Sequence, residues 1–242
     1  HGRQALVVTE PMGIPLFVGL TKISLARLYA ELDQLHIAQT LADEGAQTLE
    51  PLQAPVWLAM SRGTQGRIAL LRGELSRAHT LLDPLWNQGD DPSENLWGFS
   101  LAGPSIAELA LVEQRYDFGL HFCDWLLPLF EREEMWRHAA EMRYQRGRIF
   151  MACGEGPRAR ADLIRALTIA ENDDIKILLW RVFSALATLD WQQASHAQAD
   201  AQRRRAIDLI HSLANGIADP GLRDGFLHGR DVIHALGLFK YD

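Results

Sequence analysis

A small residue returns at a nearly fixed interval along the chain, at Ala38, Ala78, Gly119, Ala159 and Ala199, with spacings of 40, 41, 40 and 40. Twelve positions before each stands a second small residue: Ala26, Gly66, Ala107, Gly147 and Ala187. Ten positions before stands an aliphatic one: Leu28, Ile68, Leu109, Ile149 and Leu189. Three offsets that hold through five units, in a chain only 48% hydrophobic, mark a tandem array of similar units and not one irregular globule. Positions below are counted from the small residue, which is position 0 of its unit.

Each unit reads as two amphipathic helices joined by a short turn, so the expected fold is all-α, a solenoid of about five helix-turn-helix repeats with a C-terminal capping segment. Residues 65–74, QGRIALLRGE, and 146–155, RGRIFMACGE, each end a first helix at a glycine, Gly73 or Gly154, suited to the left-handed conformation that closes a helix. The corresponding turns fall at Asp33-Gln34, at Gln114-Arg115-Tyr116-Asp117 and near Ala194-Ser195. Pro51, Pro55, the run Gln88 to Ser93 and Asn172-Asp173-Asp174 separate the units. The expected repeats are 14–52, 53–91, 92–133, 134–173 and 174–215. Residues 1–13 read as a leader or the remnant of a preceding repeat, and 216–242 as the cap. Small residues at −12 and 0 are expected where the two helices of a unit cross. The aliphatic residue at −10, with Leu81, Leu82, Leu85 and Trp86 in the second unit, is expected to form the buried stripe. Phe226, Leu227, Val232, Ile233 and Leu236 are available to cover the last exposed face.

The net charge of −7 argues against general binding to nucleic acid or an anionic membrane, since both need a concentrated positive surface. The uncharged run Pro11 to Thr21 is too short for a bilayer and holds two prolines and two glycines. No secretory signal is legible, so a cytoplasmic location is expected. The first residue, His1, reads as an excised or processed start. Cys123 and Cys153 lie in different repeats, outside any CxxC or Cys/His spacing, and are expected to be buried thiols. None of the nine histidines forms HExxH, and His228 and His234 are six apart, so neither metal nor cofactor is expected. No nucleophile, base or metal set recurs in register, so the chain is not expected to be an enzyme. Most of the seven tryptophans, Trp57, Trp97, Trp136 and Trp180 among them, are expected to fill gaps between repeats. Arg203-Arg204-Arg205, beside Asp200 and Asp208, is expected to form a solvated, ion-paired face.

The spacing of Leu25-Ala26, Tyr29, Asp33, Ala38 and Ala42, and of Gly147, Phe150, Gly154, Ala159 and Leu163, resembles the tetratricopeptide pattern over roughly 14–215. The period departs from that family's usual 34 residues and implies longer helices or turns. Long tetratricopeptide-like arrays of this kind are similar to the C-terminal sensor regions of large bacterial signalling ATPases, among them maltose-type transcription activators and proteins that join a nucleotide cyclase, an ATPase and repeats. The tail from Ile217 to Leu227 is similar to a DPxLRxxFL ending of the second group. No phosphate loop, helix-turn-helix or cyclase carboxylate pair can be placed in the chain.

The resemblance implies a right-handed superhelix whose first helices line a concave groove, with position −11 facing it. That position holds Arg27, Arg67, Glu108, Arg148 and Thr188, and Tyr144 and Trp191 fall at other groove-facing offsets. Arginines there suit carboxylate or phosphate recognition; the plainer reading pairs them with carboxylates of neighbouring helices. The resulting expectation is a regulatory module of a larger multidomain signalling or transcription-regulating protein, binding a protein or peptide partner in the groove. The alternative is a sensor of a small acidic ligand that controls an attached ATPase or cyclase.

Overall fold

A computed structural model describes residues 2–86 and 95–237. Its described residues form thirteen α-helices and one short 3-10 turn, with no strand. The helices are α1 (Gly2–Met12), α2 (Pro15–Glu31), α3 (Leu35–Leu49), α4 (Pro55–Leu71), α5 (Leu75–Trp86), α6 (Leu96–Val112), α7 (Tyr116–Arg132), α8 (Trp136–Ala152), α9 (Gly156–Asn172), α10 (Lys176–Gln192), α11 (His196–Gly216), α12 (Pro220–His228) and α13 (Arg230–Gly237). The chain divides into two compact units, His1–Leu109 and Ala110–Asp242. In the first, α2 packs on α3, α3 on α4, and α4 on α5; in the second, α7 packs on α8, α8 on α9, α9 on α10, and α10 on α11. The expected run of breakers at 88–93 lies outside the described residues.

The beat of the backbone is half the beat of the sequence. Every left-handed residue among those described, namely Gly13, Asp33, Gln53, Gly73, Gln114, Glu134, Gly154, Asp174 and Ala194, stands at position −5 or +15 of its unit. Each therefore falls about 20 residues from its neighbour, or about twice that across 87–94. Seven helices, α2, α4 and α6 to α10, are each 17 residues long. A 17-residue helix and a three-residue turn are thus the building block, and two make one sequence period. The turn closes by two hydrogen bonds. After α2, Gln34 N–H donates to Tyr29 O at 2.9 Å and Asp33 N–H to Ala30 O at 3.2 Å; after α10, Ser195 donates to Asp190 O at 2.8 Å and Ala194 to Trp191 O at 3.0 Å. This six-to-one and five-to-two pairing satisfies carbonyls that the helix end leaves open, and it requires a left-handed residue at the bend. The turns fall where the sequence predicts them, but Tyr116 and Asp117 belong to the first turn of α7. Residues 2–12, read from the sequence as part of a leader or the remnant of a preceding repeat, are helical.

All ten small residues at −12 and 0 are buried. A Cβ built on Gly66 would stand 2.6 Å from Leu82, and one on Gly147 would stand 3.0 Å from Leu163 and 3.4 Å from the carbonyl of Ala159. Position −12 therefore lets a first helix settle onto the +4 leucine of its own second helix. Position 0 also faces outward from the pair: a Cβ on Gly119 would lie 2.8 Å from Ile149 of α8 and 3.1 Å from Ala110. In the second unit the core runs through Phe150, Leu163, Leu167, Leu178, Val182 and Leu186.

Three expectations of burial are corrected. Leu28, unlike its four equivalents, is 50% exposed, on a face of α2 where Ser24, one turn earlier, is exposed as well. Cys153 is exposed, because it is the C-cap residue of α8, at the start of the turn; Cys123, inside α7, is buried. Trp97 and Trp136, in the first turns of α6 and α8, keep 64% and 40% of their surface open. In the cap, Phe226 and Val232 are buried and Ile233 is exposed; Ala235 takes the buried place one helical turn after Val232. Asp219 starts α12 as expected, its Oδ1 accepting from Leu222 N–H at 3.0 Å.

Candidate functional site

In the first unit the first helices α4 and α6 approach one another closely at Gly63. A Cβ on Gly63 would fall 2.5 Å from Ala102 Cα, so only glycine admits the α6 backbone there. Ser105 Oγ donates to Gly63 O at 3.2 Å across the same contact. One helical turn further on, Arg67 Nη1 forms an ion pair with Oε2 of buried Glu108. Both residues occupy position −11, and the pair joins equivalent points of neighbouring first helices. The plainer reading thus holds for Arg67: its guanidinium is committed to a carboxylate. Arg27, at the same position of α2, makes no ion pair among the described residues and is half-buried.

In the second unit Arg148 Nη1 donates to Gln145 Oε1 at 2.9 Å, and its guanidinium lies 5.5 Å from the ring centroid of Tyr144. Tyr144 and Arg148 are therefore brought together, one turn apart on α8. Thr188 Oγ1 turns back to donate to Ser184 O at 3.1 Å. The ring of Trp191, at the end of α10, lies 4.2 Å from that of His196 at the start of α11, tilted by 54°, and Trp191 remains 41% exposed. The guanidinium of Arg205 lies 5.4 Å from the ring centroid of Phe183.

The strongest electrostatic feature of the second unit is one that periodicity did not single out. Arg143 and Arg146 of α8 converge on buried Asp162 of α9, with Arg143 Nη1 2.9 Å from Oδ1, Arg146 Nε 2.6 Å from Oδ2 and Arg146 Nη2 2.8 Å from Oδ1. Arg146 also reaches Asp124 at 2.6 Å, and Arg143 reaches Glu131, both on α7. Burial works to lower the Arg146 pKa, but the hydrogen bonds and charge of Asp162, then of Asp124, hold it above its ordinary value. A second buried carboxylate, Asp190 of α10, is held by Arg160 of α9. A signal for part of this network was present: Asp43, Asp83 and Asp124 all stand at +5. Gln65 Nε2 donates to Asp43 at 2.7 Å across the same offsets that Arg146 spans to Asp124.

These groups are structural in geometry, since every charge faces a partner on an adjacent helix. Burial pushes the Cys123 thiol far above its ordinary pKa, against a smaller opposing effect of Arg146. Among the described residues no group of three or more His, Cys, Asp or Glu could hold a metal ion. None of their helices is long and apolar enough to cross a membrane.

Comparison with models of protein families and with curated proteins finds no match. Among solved structures the chain is similar to BtubC (BKLC) from P. vanneervenii, at 18% identity and a TM-score of 0.53, over 88% of this chain and 85% of that one. The likeness is one of fold, and it fits an all-helical chain.

Proposed function

We propose that the chain is a tetratricopeptide-like array of five helix pairs, and that the exposed sides of its first helices bind a protein or peptide partner as the regulatory module of a larger cytoplasmic signalling protein. One observation carries this reading. All three exposed tryptophans among the described residues, Trp97, Trp136 and Trp191, lie on first helices. Large exposed aromatics are the residues most often responsible for affinity at protein interfaces, and their cost in solution makes their placement on first helices informative. The repeated helix pair, the left-handed turns and the fold of the solved neighbour support the array. The two cysteines, both free and one of them exposed, suit a reducing compartment. The partner would present apolar or aromatic anchors, with an acidic group able to reach Arg27.

A peptide-display selection on the intact chain tests the proposal, followed by fluorescence titration of the enriched peptides. The expected result is binders whose affinity falls at least about tenfold on Trp97→Ala or on Trp191→Ala, a loss of about 1.4 kcal/mol or more. Ile164→Ala, an exposed aliphatic on second helix α9, should leave binding unchanged. Binders indifferent to both tryptophan substitutions, or no enrichment, would sink the reading.

A further inference from the structure

On the first helices, positions −18, −15, −11 and −8 follow one another at helical spacing and form one stripe. In the first unit this stripe meets the next first helix: Gly63, at −15, faces Ala102 of α6, and Arg67, at −11, pairs with Glu108 of α6. On α10 the stripe is Arg181, Ser184, Thr188 and Trp191. Arg181 Nη2 lies 4.0 Å from Oδ2 of Asp231, in the first turn of α13. The start of α13 therefore stands over the start of the α10 stripe, in the kind of place that α6 takes beside α4.

Three observations show that α13 fills this place incompletely. It is eight residues long against 17 in α6, so it spans about 12 Å, whereas Arg181 to Trp191 alone spans about 15 Å; Trp191 stays 41% exposed. Its hold is weak. Helices of eight and nine residues are marginal by themselves, so α13 and α12 depend on packing through buried Phe226, Val232 and Ala235. The Arg181–Asp231 pair, its side chains 18% and 35% exposed, adds little. A polar group beside that pair is also unanswered. The Arg181 guanidinium lies 5.3 Å from the ring centroid of Trp180, which is 3% exposed and whose indole N–H meets no acceptor among the described residues. The other first helices hold Gly19, Ala59, Ser100 and Ala140 at that position, −19. A donor buried unpaired costs free energy that a better-matched occupant would return.

We propose that α13 is a built-in competitor: it holds part of a face of α10 and α11 that docks an amphipathic helix of a partner protein, and the partner displaces it. The chemistry of that helix is read from α13 itself. It carries a carboxylate in the place of Asp231 at Arg181, a branched apolar residue and a small one three positions apart in the places of Val232 and Ala235, and, beyond the length of α13, an apolar anchor for Trp191. The anchor rests on the reading of Trp191 as a partner contact; the displaced helix adds the kind of occupant and the control over its entry.

A fluorescent peptide of residues 218–237 is the probe, titrated by anisotropy into the intact chain and into one carrying Val232→Asp, which unseats the resident α13. Kd for the Val232→Asp chain should be at least about tenfold lower than for the unchanged chain, where the resident helix competes. Arg181→Glu added to Val232→Asp should weaken binding at least about fivefold, and the peptide with Asp231→Arg should recover it. Amide exchange on the unchanged chain is a second measurement that does not depend on the variant folding: α13 should open at least about tenfold more often than α10 and α11. The proposal is overturned if the peptide binds both chains equally or neither, or if the amides of α13 exchange only together with those of α10. Failure of the tryptophan reading shows separately, as selected peptides indifferent to Trp191→Ala.

Discussion

Six of the nine left-handed turn residues carry a side chain: Asp33, Gln53, Gln114, Glu134, Asp174 and Ala194. For an L-residue that conformation costs about 1–2 kcal/mol, and only Asp or Asn can recover part of it by local hydrogen bonding. Ala194 has no such recourse, so Ala194→Gly should stabilise the chain by about 0.5–1 kcal/mol after the extra unfolded-state entropy of glycine is subtracted. Gly73→Ala is the converse: no atom lies within 4 Å of the added Cβ, so its loss of about 1 kcal/mol would come from backbone conformation alone. Urea unfolding of both variants checks the pair. The cysteines make a second residue-scale prediction. Burial, then Glu155 and Asp117, raise the pKa of exposed Cys153, so its thiolate appears only at more alkaline pH than that of an ordinary cysteine. One thiol should react with a disulfide reagent in the native state, at a rate that climbs as pH rises through and beyond the usual thiol range, and Cys123 should react only on unfolding. Two fast thiols would contradict the burial of Cys123.

At the scale of elements, the closeness of α4 to α6 rests on one hydrogen atom, that of Gly63. Gly63→Val would push into the backbone of Ala102, which cannot rotate away, and should cost about 2–3 kcal/mol or more. The same substitution at Gly216, with open space around its Cβ, should cost about 1 kcal/mol or less. In the second unit, Asp162→Ala would leave Arg143 and Arg146 partly desolvated against only the α7 carboxylates, a loss of about 3–5 kcal/mol measurable by calorimetry. Helix existence, turn positions and the burial of the ten small residues could be read from the chain, because each follows from side-chain size and spacing alone. The Gly63 contact could not, since position −15 holds Ile23, Gly63, Pro104, Tyr144 and Ser184 and shows no repeating chemistry. The fate of Arg67 was equally hidden: a first helix with arginine at −11 looks the same whether its neighbour offers Glu108 or nothing. Only the pairing of adjacent helices distinguishes Arg67 from Arg27.

For the whole molecule, the decisive property is that its contacts join helices close in sequence, α2 with α3, α8 with α9, α10 with α11, and within each compact unit the next helix along. Stability in such a chain is a sum of local helix-pair terms and neighbour terms, with no single core whose loss dissolves everything at once. A defect should therefore be felt most where it is made. Gly63→Val should raise amide exchange in α2 to α6, most strongly in α4 and α6, and should leave the slowest amides of α9 and α10 near their original rates. Asp162→Ala should do the reverse, loosening α7 to α9 while α3 and α4 stay protected. Exchange read by mass spectrometry at pH 7 distinguishes this from a cooperative globule, in which both variants would accelerate every slow amide by the same factor. The magnitude is set by the loss itself: about 3 kcal/mol corresponds to a rise of roughly 150-fold in local opening, and a uniform rise of that size across both units would show that the helix pairs do not act as separable terms.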